Sequence, residues 1–288
     1  MLGLGASALR PCHDGTRVLV CTLGDLHLDV VTQLDRPLVT GADTPARTVV
    51  SAGGQAANVA AWVSVLGASA RLVAKRADDE SGKLVASSLR HVGVEICGPV
   101  ADGATGVVVS VVTGDGERSM ASDRGVLADL RADELDPDWF AGCDHLHVSG
   151  YCFASEPARS AALRGAELAR ARGAGVSVDL SASTVIETCG AELFRQLVVA
   201  LAPDVVFCNE DEDRAIGGAI PGTTWILKRG ARGVSFGGDE RPAVPVEVVD
   251  TTGAGDALAA GWIVGGPTLA LETAARCVVK QGSMPAVV

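Results

Sequence analysis

VEVVDTTGAGDALAAGW, residues 246–262, is the stretch from which the rest of the chain can be read. An alternating apolar run (Val246, Val248, Val249) stops at Asp250. Two threonines, Gly253-Ala254-Gly255 and Asp256 follow, and from Ala257 the apolar residues take helical spacing. The pattern predicts a strand, a tight turn and a helix. A helix start presents backbone amides that have no partner within the helix. Small residues leave those amides uncovered, so an anion can meet them and the positive end of the helix dipole. Asp256 would then sit beside the anion, where a carboxylate repels the ligand unless it has chemistry to do. As a general base for a hydroxyl attacking a phosphoryl group it has such a task. An ordinary acid in the first turn of a helix is the competing reading. No lysine follows the turn, so it is not a Walker loop, and its place near the chain's end does not suit a dinucleotide fingerprint.

Outward from this turn, strand-like runs alternate with helical patterns. Residues 17–23, 70–74, 146–149, 176–180, 205–209, 224–228 and 244–250 read as strands, and 57–66, 83–91, 158–172, 192–201 and 255–264 as helices. Such alternation implies a mainly parallel sheet covered on both faces. Two regions, about 28–51 and 98–122, carry strand patches and turn residues without helices. They are expected to pair as a small sheet beside a single α/β domain of residues 17–288, with residues 1–16 as an N-terminal leader.

Composition excludes other classes. A net charge of −11 argues against nucleic acid or an acidic membrane surface as partner. No apolar run is long enough to span a bilayer, and the first residues lack the basic start of a signal peptide. The eight cysteines are scattered with no C-x-x-C pair, as expected of reduced thiols in a cytoplasmic protein. His145 and His147 alternate on a strand without an evident third ligand, which favours a structural role over a metal site.

D-T-T-G-A-G-D (250–256) resembles the C-terminal signature of the ribokinase-like (PfkB-type) carbohydrate kinases. Further matches follow in the expected order: Gly24-Asp25 after the first strand, G-G-Q-A-A-N (53–58), L-G-A (66–68), Asn209 with Glu212 as N-x-x-E, and K-R-G-A-R-G-V (228–234). The resemblance implies a three-layer αβα sandwich with a small β-sheet lid, and an ATP-dependent phosphotransferase. By similarity Asp256 is the catalytic base, and Gly253, Ala254 and Gly255 form the anion hole. Asp25 and Asn58 would bind sugar hydroxyls, with Gly53 and Gly54 letting the ring approach the backbone. Asn209, Lys228, Gly230 and Gly255 would meet the nucleotide. Glu212 would hold Mg2+ through water, and Asp250 with Thr252 resembles a site for a monovalent cation such as K+.

The resemblance implies transfer to a primary hydroxyl of a ribose- or fructose-like sugar. A nucleoside kinase of adenosine, uridine or pseudouridine type is the alternative within the fold, and a non-catalytic sugar or nucleotide sensor the alternative outside it. Neither lid region contains Phe, Tyr or Trp, which favours a small polar substrate over a stacked base. A homodimer through the lid is a further expectation. Arg76 stands where the family usually has glycine, and Arg124 reads either as a surface charge or as a contact to an anionic substrate group.

Overall fold

A computed structural model describes residues 17–113 and 118–286, so the expected leader lies outside the described residues. The chain runs β1 (Leu19–Leu23), β2 (His27–Leu34), β3 (Ala46–Gly53), α1 (Gln55–Val65), β4 (Ser69–Val73), β5 (Arg76–Ala77), α2 (Glu80–His91), β6 (Val94–Cys97), β7 (Val100–Ala101), β8 (Thr105–Val112) and β9 (Arg118–Gly125). It continues through β10 (His145–Ser149), α3 (Ala158–Arg170), β11 (Gly175–Asp179), α4 (Ser183–Cys189), α5 (Ala191–Leu201), β12 (Val205–Asn209) and α6 (Glu210–Ile216). β13 (Thr224–Lys228), β14 (Val234–Phe236), β15 (Asp239–Arg241) and α7 (Ala254–Val278) complete it.

The large sheet has the order β15-β14-β13-β12-β11-β10-β1-β4-β6. It is parallel from β13 to β6, with an antiparallel edge at β14 and β15. Successive residues of one strand feed opposite cores. Val205 and Phe207 pack with α1 and α7, while Val206 and Cys208 pack with α3 and α5. That two-sided burial makes the strands read as continuous apolar runs. α1 is buried nearly all round between the sheet and α7, and its alanines let the two helices approach closely. The chain winds outward from β1 through β4 to β6, then returns to β10 and winds the other way. A crevice opens at that reversal, outside the carboxyl ends of the strands, where ligands bind in open α/β sheets.

β3, β2, β8 and β9 form a second, four-stranded sheet, with β2 and β8 parallel and the other pairs antiparallel. One face, carrying Asp29, Val31, Val108 and Ser110, looks into the crevice. Arg76, at the position where glycine was expected, pairs β5 with β7 and does not line that crevice.

The strand expected over residues 244–250 is absent. The segment joins no strand ladder, and its valines are exposed, Val249 by 63%. Pro242 and Pro245 remove two of the amides a ladder needs, and the sheet ends at β15. The N–H groups of Val249 and Asp250 are anchored, both to the carbonyl of Val278. Among the described residues no helix is long and apolar enough to cross a membrane.

Candidate active site

The crevice is a cleft of about 470 Å³ between the ends of the parallel strands and the small sheet. At its base lies the start of α7. Gly253 caps the helix with φ of +76°, and a Cβ there would lie 2.5 Å from Cβ of Ser283, so only glycine fits. Ala254 N–H is already committed to the carbonyl of Thr251 at 3.2 Å. Gly255 and Asp256 occupy the next two helical positions, whose amides lack an i−4 partner. Of the three residues expected to form an anion hole, Ala254 thus has its N–H engaged within the turn.

Asp256 accepts a hydrogen bond from Asn58 Nδ2 at 2.7 Å through Oδ2. Its pKa is pushed up to about 7, first by burial; the Asn58 hydrogen bond opposes the rise and the Asp179 charge adds to it. Asn58 is fixed in turn, because its Oδ1 accepts from Ser283 Oγ at 3.0 Å. The Ser283 carbonyl accepts from Trp62 Nε1 at 2.9 Å, which ties the last described segment to α1. Asn58 was expected to bind sugar; its first partner is the carboxylate of Asp256.

The other end of the cleft is built on the turn after β1. Asp25 is 4% exposed, and its Oδ1 accepts from Arg124 Nη2 at 3.0 Å. Its Oδ2 faces Ser149 Oγ at 3.4 Å. The Arg124 guanidinium lies over the Tyr151 ring, 5.2 Å from its centroid. Arg124 is thus a cleft residue carried by β9, not a surface charge. Asp29 also lines the cleft, 2.9 Å from His27 Nε2. The paired glycines serve the protein first. A Cβ on Gly53 would lie 2.2 Å from the Asp29 carboxylate, and one on Gly54, at φ of +110°, 2.3 Å from the Asp25 carbonyl.

Asn209 caps α6 and forms a reciprocal capping box with Glu212. Asn209 N–H donates to Glu212 Oε2 at 2.8 Å and Asn209 Nδ2 to Oε1 at 2.7 Å. Such a cap is worth about 1 kcal/mol, so these residues fix the start of α6. Burial raises the Glu212 carboxyl pKa, while the nearby Lys228 charge opposes that. Lys228 points inward to Asp179 at 2.6 Å. Gly230 lies in the exposed turn Gly230–Arg232 and does not line the cleft. Asp250 organises the turn: Oδ1 accepts from Thr252 N–H and Oγ1, and Oδ2 from Gly282 N–H. His145 and His147 are buried on either side of Ser177 Oγ, at 2.8 and 2.9 Å. Burial holds their pKa values down to about 3 and about 4, so both are neutral.

Several cleft residues escaped the sequence reading: His27, Gln55, Tyr151, Ser181 and Ser283. Tyr151 and Ser181 each fall two residues beyond a strand end, at Ser149 and Asp179. Their place just past the carboxyl end of a parallel strand was the available signal.

Residues 18–284 match the pfkB family carbohydrate kinases. The chain is 31% identical over 280 residues to an ATP-dependent ribose-1-phosphate kinase of Halopiger xanaduensis, covering 90% of each chain. It is 33% identical over 266 residues to fructokinase-1 of Zea mays, covering 84% of this chain and 80% of that one. The crystal structure of adenosine kinase from Sinorhizobium meliloti superposes with a TM-score of 0.82 at 25% identity, covering 94% and 97%. A cleft with a carboxylate at a glycine-capped helix start, in a fold and a sequence shared this widely, leaves one conclusion: the chain belongs to the pfkB family of carbohydrate kinases.

Proposed function

We propose that this ATP-dependent carbohydrate kinase transfers the γ-phosphoryl group of ATP to the primary hydroxyl of a ribose- or fructose-like sugar. The observation that carries the reading is Asp256, at the start of α7 in the floor of the cleft, with its pKa near 7. A base poised at the working pH accepts the hydroxyl proton as the oxygen–phosphorus bond forms and the bond to ADP breaks. The amides of Gly255 and Asp256 face the charge that grows on the transferring group. Asp25, Asp29 and Arg124 supply acceptors and donors for ring hydroxyls at the other end.

Among the described residues no cluster of three or more metal-ligating side chains exists. That donor set does not cage a metal, but it fits Mg2+ held by nucleotide phosphates and water, with Glu212 behind the water. When bound, Mg2+ neutralises phosphate charge. Asn209 and Lys228 stand opposite each other at the ends of neighbouring strands, and in this reading they would meet the nucleotide.

The names of the sugar-kinase relatives support a sugar acceptor. Tyr151 does give the cleft an aromatic ring, but the Arg124 guanidinium covers its face, which disfavours stacking of a nucleobase. The small sheet would serve as the lid, and its outer valines, among them Val30, Val50 and Val109, would pair two copies. A coupled ADP-release assay over ribose, fructose, ribose 1-phosphate and nucleosides, with and without Mg2+, tests the reading. Turnover of a free sugar supports it. Nucleoside turnover alone selects the alternative, and binding without any turnover points to a sensor.

A further inference from the structure

Lys228 leaves β13 on the face it shares with Asn209 and Phe207, and reaches across β12 to Asp179 at the end of β11. Its Nζ stands 2.6 Å from Asp179 Oδ2, and Asp179 is 1% exposed. The other oxygen of Asp179 accepts Ser181 N–H at 3.0 Å. Ser181 is held at φ of +74°, unusual for a residue with a side chain, and its hydroxyl donates to Gln55 at 2.6 Å. The turn that carries Asp179 is therefore pinned to α1 from the cleft side. A Cβ on Gly255 would lie 3.2 Å from Lys228 Nζ, so the ammonium rests against the backbone of the cradle. Lys228 does not itself line the cleft.

We propose that Asp179 is a positioning residue that fixes the Lys228 ammonium behind Gly255, where Lys228 adds a permanent positive charge to the start of α7 and tempers Asp256. The proposal rests on the reading of Asp256 as the base. A helix start supplies about half a unit charge from its amides, and Lys228 adds to it the part of its charge that Asp179, on the far side of the pair, does not compensate. Away from bulk water that charge acts at greater strength, and because Asp179 holds it in place nothing must reorganise during transfer. Burial works against the ammonium, but Asp179 and Glu212 more than offset this and raise the Lys228 pKa, so it stays charged. The groups that act on Asp256 are Asn58 from α1, Asp25 after β1, Asp179 from β11 and Lys228 from β13, with Tyr151 and Cys277 also near. Among these Lys228 is the one cation.

A buried ion pair that merely joins β11 to β13 would have no signed effect on the base. The two roles separate in the pH profile of kcat/KM for an accepted sugar, measured on Lys228→Met, Asp179→Asn, the double variant and Lys228→Arg, each checked for folding by circular dichroism. Lys228→Met should lower kcat about 10²-fold, the scale of losing one transition-state donor, and move the acid limb upward by about one pH unit. Asp179→Asn should move that limb downward. The double variant should bring it back near its starting point, and it keeps the proposal testable if a single variant does not fold, since replacing both partners avoids an unpaired buried charge. Lys228→Arg should restore most of the rate lost in Lys228→Met. Limbs that move the same way in both single variants, or a double variant that keeps the full shift of either, overturn the proposal. A wild-type acid limb that no variant moves overturns it alone, whereas a wild-type profile with no acid limb overturns the base assignment as well.

Discussion

The two ends of the cleft each present an aspartate, and the two have opposite kinds of partner. Asp25 faces a guanidinium and a hydroxyl. Asp256 faces the neutral amide of Asn58. A cation beside a carboxylate compensates its charge and makes it an anchor. A neutral donor orients the carboxylate while leaving it able to take a proton, and burial then raises its affinity for one. In the proposed function, partner choice is what separates the acid that binds from the acid that reacts.

The largest break in this contrast is Asp256→Asn, which keeps the shape and the contact to Asn58 but removes the base. Steady-state kinetics should show kcat reduced by about 10²- to 10⁴-fold with the fold intact. Next comes Gly54, which serves both ends: its missing side chain makes room for the Asp25 carbonyl, and its own carbonyl accepts Asn58 N–H at 2.8 Å. Gly54→Ala should cost about 3 kcal/mol in denaturant unfolding, through strain at positive φ plus the clash. Asn58→Leu removes the donor that lowers the Asp256 pKa, so the acid limb of kcat/KM should move above pH 7, with kcat down about tenfold. Arg124→Met should be mildest for chemistry. KM for the sugar should rise about tenfold while kcat changes little, because in the proposed function Arg124 orients substrate and does not meet the transferring group.

How far such roles were legible depended on how local they are. The turn that opens α7 and the paired glycines at 53–54 are each written within a few residues, whereas Asn209 and Glu212, read as nucleotide- and Mg2+-side residues, also form a capping box that the reading did not name. Partnerships were not legible, because they join residues far apart: Asn58 to Asp256, Arg124 to Asp25, Lys228 to Asp179. Tyr151 escaped because an aromatic ring was sought only in the two lid regions, and it stands outside both, just past the end of β10. The valines at 244–249 misled in the other direction. Their alternation is the same whether a strand pairs or lies open, and only Pro242 and Pro245 carried the distinction.

The pH dependence of kcat/KM tests the central claim most directly, measured at saturating ATP and Mg2+ with the best sugar, on the wild-type enzyme and on Asp256→Asn. Asp256 must be ionised to act, and its pKa is raised, so activity should be full above pH 7 and fall about tenfold per unit below it. Asp256→Asn should lie at least about a hundredfold lower and lose that limb. A wild-type profile that stays flat down to pH 5, or an Asp256→Asn enzyme within tenfold of wild type, contradicts the assignment of Asp256 as the base.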